Sequence, residues 1–210
     1  MTDDPAALRQ GRPKSAAKRD AILDAAKRLF TQEAYERVSL DAVAAEAGVS
    51  KVTIYSHFQS KEALFVAAIS AGCDQVFAAV QIAAASKGRL EDILFQLGRD
   101  FMRMISDPEV DALHGVMLAE GARRPELPRM FYENVVERST RILADFLQAQ
   151  ADAGRIACGD SYIAATQFLA VVQGHFFYRQ QLGIESAEDD DMTGYIRACV
   201  TMMLRAWRPD

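Results

Sequence analysis

Nothing in this sequence is apolar for long enough to cross a bilayer: no unbroken apolar run reaches 18 residues. A secretory apolar core near the N-terminus is also missing, so a cytoplasmic chain with no membrane partner is expected. Cysteine is scarce. Cys73, Cys158 and Cys199 are odd in number and match no zinc or redox spacing, so three reduced thiols are the expectation. The sequence holds no GxSxG, no HExxH and no phosphate-cradling glycine loop, and its three histidines stand far apart. Neither an enzymatic reaction nor a metal or cofactor is therefore expected. Alternating β-branched runs and internal repeats are absent too, which excludes sheets and solenoids and leaves an all-α chain.

Acid exceeds base, with a formal net charge of −5, yet the excess is unevenly spread. Residues 1–61 carry ten Lys and Arg against eight Asp and Glu; residues 62–210 carry 14 against 21. One end is suited to a polyanion and the other is not.

The basic end contains SLDAVAAEAGVSKVTIYSHFQSK, residues 39–61. Ser39 opens a helix as its N-cap, with Asp41 at the positive end of the dipole. Leu40, Val43, Ala44 and Ala47 share one face. Gly48 supplies a turn at φ > 0, and Ser50 caps a second helix whose Ile54 and Phe58 pack back on the first. This is the spacing of a helix-turn-helix. At about 100° per residue, Val52, Thr53 and Ser56 lie farthest from the buried side, flanked by Lys51, Tyr55 and His57. A methyl group, hydroxyls, a phenol, an imidazole and one cation suit base edges and phosphates better than an ordinary solvated face. Residues 1–14 form a flexible basic arm in which Arg12 and Lys14 are placed to enter a minor groove or to meet phosphates. A helix from Ser15 to about Ala34 closes a three-helix core.

The run GVSKVTIYSHFQSKEALF, preceded by AYERVSLDAVA, resembles the DNA-binding domain of the tetracycline-repressor (TetR/AcrR-like) transcriptional regulators over roughly residues 15–69. PELPRMFYENVVERSTRILADFL is similar to a ligand-domain helix of one repressor subgroup. The resemblance implies a homodimer on a palindromic double-stranded DNA operator, released when a small-molecule effector fills a pocket. It also implies that Lys51, Thr53, Tyr55 and His57 are recognition-helix contacts and that Lys61 is a phosphate contact; Val52 stands where the family varies widely. The expected DNA-facing set is Ser39, Ser50, Lys51, Val52, Thr53, Tyr55, Ser56, His57, Lys61, Arg12 and Lys14.

The expected organisation is an arm at 1–14, a helix-turn-helix domain at 15–60 and a larger helical ligand-binding and dimerisation domain at 61–210. Helices are predicted at Lys61 to about 83, Arg89–Ile105, Glu109–Ala122, Glu126–Ala153, Asp160–Leu182 and Ala187–Trp207. Residues 161–178 carry no charge, so that helix is predicted to be sandwiched. Phe168 and Val172 are expected to lie under a partner subunit in a four-helix interface with the last helix. Phe101, Met102, His114, Met117, Phe131, Phe168, His175 and Phe176 are the expected ligand-binding residues of a largely apolar pocket. The competing readings are a helical adaptor, or a regulator controlled by a protein partner or by thiol oxidation.

Overall fold

The structure, a computed structural model, describes residues 14–84, 88–184 and 191–209, and every regular element among them is helical. Two compact units are present, Met1–Ala68 and Ile69–Asp210.

In the first unit, α1 (Lys14–Gln32), α2 (Leu40–Glu46) and α3 (Lys51–His57) pack on one another, and α4 (Lys61–Ala84) begins here. The predicted caps are formed. Ser39 accepts from the Ala42 N–H at 3.1 Å and Ser50 from the Thr53 N–H at 3.2 Å, satisfying amides that an isolated helix start would leave bare. Gly48 has φ +65° between α2 and α3, where a Cβ would be strained. Ile22, Ala25, Ala26 and Phe30 of α1 are buried, as are Val43, Ala44, Ile54 and Phe58 in the helix-turn-helix on which α1 packs. Leu23 of α1 is buried as well, while Ala17 is exposed. Phe30, Tyr35 and Phe65 form an aromatic trio with centroids 4.9–5.5 Å apart, which ties α1 and the segment before α2 to α4.

The second unit takes in α5 (Leu90–Ile105), α6 (Pro108–Gly121), α7 (Glu126–Phe131), α8 (Arg138–Asp152), α9 (Ser161–Gln181) and α10 (Met192–Ala206). Asp107 and Asp160 cap α6 and α9 through their carboxylates. Where one uninterrupted α-helix was predicted over Glu126–Ala153, a π-helical turn at Tyr132–Glu137 separates α7 from α8. It widens the backbone ladder by one residue and so changes which way Val135 and Val136 face. The last helix starts at Met192, and of the residues predicted to precede it, 187–190 lie outside those described.

The core of this unit is built from one face each of α5, α8, α9 and α10. Gly98 lets α5 approach α10 closely, for a Cβ there would stand 2.8 Å from Ile196. The charge-free α9 has two distinct faces. Ala164, Ala165, Phe168, Val172 and Phe176 are buried within the chain, while Ile163 and Tyr178 are 54% and 71% exposed. Phe168 and Val172 therefore do not lie on a partner-facing surface: both are fully buried in the core that α9 shares with α5, α8 and α10 of the same chain. The helix is also broken at Gly174, whose φ/ψ of 50°, −145° no helix contains.

Candidate functional site: a recognition surface and a ligand cavity

The surface of α3 is built outward from its buried Ile54. With that side chain sealed and the Ser50 cap fixing the helix start, Val52 and Tyr55 stand 78% and 52% exposed. Lys51 and Ser56 are exposed beside them, and Thr53 and His57 are half-buried. Several of these polar groups are already engaged. The Thr53 and Ser50 hydroxyls share a hydrogen bond of 2.9 Å, and Ser56 donates to the Thr53 carbonyl at 2.7 Å. Both serines keep lone pairs toward solvent but are held in fixed rotamers. Ser39 spends its oxygen on the α2 cap.

Two lysines of the expected set are held by protein groups. The Lys61 ammonium donates to the Tyr35 carbonyl and, at 3.5 Å, to that of Glu36, and it lies over the Tyr35 ring. It thereby pins the start of α4 to the segment before α2. Lys51 pairs with Asp41 at 2.8 Å, and the Asp41 hydrogen bond, with the attraction of its charge, raises the lysine's pKa above its ordinary value. Lys14 is the first residue of α1, and Arg12 lies outside the described residues.

The Lys51–Asp41 pair leads to a test. A phosphate approaching Lys51 must compete with a carboxylate. Asp41→Asn keeps the shape and removes that competitor, along with a charge that repels DNA. We expect tighter binding to all duplexes, by no more than about fivefold because exposed pairs are individually weak. Fluorescence anisotropy with specific and scrambled duplexes reads this, and a loss of affinity or a change of preferred sequence contradicts it.

The second candidate site is a cavity of about 320 Å³ inside the larger unit. Its apolar wall comes from Ile69 and Cys73 of α4, Phe101, Met104 and Ile105 of α5, and Val110 of α6. Phe131, Val135 and Val136 at the π-helical turn add to it, with Leu169, Ala170 and Phe177 of α9. The π turn thus shapes the cavity, a feature no sequence pattern announced. Of the expected ligand-binding residues, the structure brings Phe101, His114 and Phe131 together here. Met102, Met117, Phe168 and Phe176 are buried away from it; Met102, Phe168 and Phe176 belong to the main core. His175 is exposed on the outer side of α9, stacked on Phe176 at 4.3 Å with its edge near Tyr195. Four of these five were chosen as apolar residues and His175 as a polar one, but side-chain type does not tell which side of a helix meets empty space.

Of the polar groups of the cavity, sequence reasoning found only His114. Gln181 donates to Asp111 at 2.7 Å, and its carbonyl meets His114 Nδ1 at 3.3 Å, which ties α6 to the end of α9. Thr140, Thr166 and Gln173 also face the cavity. For Thr166 and Gln173 the available signal was an uncharged polar residue inside the charge-free stretch 161–178.

Burial raises the pKa of all three thiols. Cys73, in the cavity wall, is pushed up to about 12, first by burial and then by the neighbouring Asp74. Burial likewise raises Cys158 and Cys199. Thiolate is the reactive form, so none has the low-pKa character of a redox sensor. Among the described residues no cluster of His, Cys, Asp and Glu is arranged to hold a metal, and no helix is long and apolar enough to cross a membrane.

Comparison with known proteins covers both units. A family described as bacterial regulatory proteins, tetR family, matches residues 22–68, and one described as AefR-like transcriptional repressor, C-terminal domain, matches 92–209. The chain is 28% identical to an HTH-type transcriptional regulator of Mycobacterium tuberculosis over 158 residues, which are 75% of this chain and 73% of that one. Among solved structures, a TetR-family transcriptional regulator of Mesorhizobium loti MAFF303099 superposes with a TM-score of 0.76 at 27% identity, covering 94% of this chain and all of the other. A protein described as flavonoid-responsive regulator FrrA superposes with a TM-score of 0.69 at 31% identity, covering 92% of this chain and 98% of that one.

Proposed function

Because this chain belongs to the TetR family of bacterial regulatory proteins, and so is a DNA-binding transcriptional regulator, we propose that it acts as a cytoplasmic one-component repressor. In this reading a homodimer binds a palindromic operator through α3, and a small, largely apolar effector in the larger unit releases it. Residues 15–60 supply the DNA-binding part, behind a basic arm at 1–14, and 61–210 the effector and dimer part.

The observation that carries the proposal is the apolar cavity, whose lining includes a hydrogen-bonded Asp111–Gln181–His114 chain. A few polar groups in a mostly apolar hollow are what orient a small ligand. The repressor description of the matching C-terminal family supports the direction of control, and the flavonoid-responsive relative supports control by a small molecule. For the dimer, the support is the exposed apolar side of α9, with Ile163 and Tyr178, and the shallow groove along α10 lined by Gly194, Ala198, Met202 and Arg205. Helix α4 offers the route of coupling: it begins at Lys61 beside the helix-turn-helix and contributes Ile69 and Cys73 to the cavity wall. An effector that prefers one position of α4 shifts the population toward it, and operator DNA must weaken effector binding by the same factor.

Selection of genomic fragments on the purified protein, followed by anisotropy titration, tests the reading. Two chains per operator are expected, on half-sites about 34–36 Å apart. With six to ten phosphate contacts, affinity should fall by roughly 10³–10⁵ between 50 and 200 mM salt. One chain per site, or binding indifferent to salt, contradicts the proposal.

A further inference from the structure

The polar groups of the cavity are biased toward accepting hydrogen bonds. Asp111 Oδ1, as a carboxylate oxygen, can only accept, so the Gln181 atom 2.7 Å from it is the amide nitrogen. That orientation turns Gln181 Oε1 toward His114 Nδ1, 3.3 Å away. An amide oxygen also only accepts, so Nδ1 carries the hydrogen, and in the neutral tautomer that this bond selects the lone pair is on Nε2. The other contacts of His114 are ring contacts with Phe131 and Phe177, both at 5.9 Å and both in the cavity wall. Nε2 has no partner among the described residues, yet it is not a sealed, unsatisfied atom. His114 lines the cavity, so Nε2 is the ring nitrogen it can offer to a ligand there.

Two further hydroxyls point the same way. Thr140 donates its hydrogen to the Val136 carbonyl at 2.8 Å and Thr166 to that of Tyr162 at 2.9 Å, so each has only lone pairs left to offer. Gln173 adds an amide. Among the described residues no Lys or Arg lines the cavity, and the one formally charged residue is Asp111. A carboxylate entering here meets a like charge and no cation, in a mostly apolar space where an unpaired charge is costly. A neutral molecule with a hydroxyl meets the Nε2 lone pair. The rings of Phe101, Phe131 and Phe177 offer faces and edges to another aromatic ring.

We propose that the cavity is selective for neutral hydroxylated aromatic molecules, held by donation of a phenolic hydrogen to His114 Nε2, and that Asp111 excludes aromatic carboxylates. This rests on the effector reading above and narrows it to one chemical class.

Calorimetry on the full-length protein with three probes of one skeleton tests it: a naphthol, its methyl ether and the corresponding naphthoate. The naphthol is expected to bind. The ether, which leaves Nε2 without a donor, should bind about ten- to a hundredfold more weakly, and the naphthoate should show no binding. Asp111→Asn keeps a side-chain oxygen that can accept from Gln181, so this variant should bring naphthoate binding into the measurable range without unfolding the protein. His114→Phe keeps a ring of similar size and should bring the naphthol and its ether to within about twofold of each other. Equal affinity of the naphthol and its ether for the wild-type protein, or tighter binding of the naphthoate, overturns the class while the effector cavity stands. Failure of all three probes to bind up to their solubility limits overturns both.

Discussion

Phe168→Asp should leave the larger unit unfolded or insoluble, whereas Ile163→Asp, five residues earlier on the same helix, should give soluble, folded protein that associates poorly. Phe168 is fully buried in the apolar core that α5, α8, α9 and α10 build, which offers a new carboxylate no pairing charge. Losing the ring costs about 3–5 kcal/mol, and an unpaired buried charge costs several more. A domain whose whole stability is about 5–15 kcal/mol does not survive both. Ile163 is 54% exposed, so its replacement costs the isolated chain little. If α9 lies in the dimer interface, that charge falls between two subunits and shifts the protein toward monomer. Thermal melting by circular dichroism and light scattering after gel filtration separate the two effects. A cooperatively folded, monomeric Phe168→Asp protein would put this residue back on a partner-facing surface and overturn the packing described here.

That contrast shows where the sequence is legible. The first unit could be read almost residue by residue, because its determinants are local. Ser39 and Ser50 cap within three residues, Gly48 turns within one, and Ile54 and Phe58 lie a helical turn apart. The exposure of Val52 and Tyr55 follows from the same periodicity. What escaped was the pairing of charges between elements. Asp41 reaching Lys51 depends on how α2 meets α3, and Lys61 turning to the Tyr35 carbonyl depends on a chain segment 26 residues away. In the second unit, helix existence was legible but helix orientation was not. A stretch without charge, such as 161–178, has no polar stripe to mark its outer side, so hydrophobicity alone could not tell Phe168 from Ile163. The same ambiguity scattered the expected ligand-binding residues. Phe131 and His114 face the cavity, while Met102 and Phe176 face the core. Neither the π turn at Tyr132–Glu137 nor the break at Gly174 leaves a signature in periodicity, because each interrupts a helix that continues beyond it.

The break at Gly174 has the larger mutational consequence of those two irregularities. Replacing this glycine by alanine should destabilise the larger unit by about 2–4 kcal/mol, combining backbone strain of about 1–3 kcal/mol with the loss of one hydrogen bond worth about 1 kcal/mol. Its φ/ψ of 50°, −145° is open to glycine and strained for any residue with a Cβ. The space is occupied as well: an added Cβ would stand 2.3 Å from the Tyr195 hydroxyl and 2.7 Å from the ring carbon that bears it. That hydroxyl cannot simply move aside. It donates to the Val171 carbonyl at 2.7 Å, and Cys199 Sγ approaches the same oxygen at 3.7 Å. Where the helix breaks, the Val171 carbonyl needs a donor from outside the α9 ladder, and α10 provides one. The break and the Tyr195 bond are thus two parts of one arrangement, and a double-mutant cycle exposes the coupling. Tyr195→Phe alone should cost about 1 kcal/mol, and Gly174→Ala should cost less in that background than in the wild type, because the hydroxyl it collides with is gone. The backbone strain should persist in the double variant, so full recovery is not expected. Chemical denaturation of the four proteins measures all the terms. A Gly174→Ala protein as stable as wild type would mean that α9 runs through this point as a regular helix, and strictly additive costs would separate the break from Tyr195.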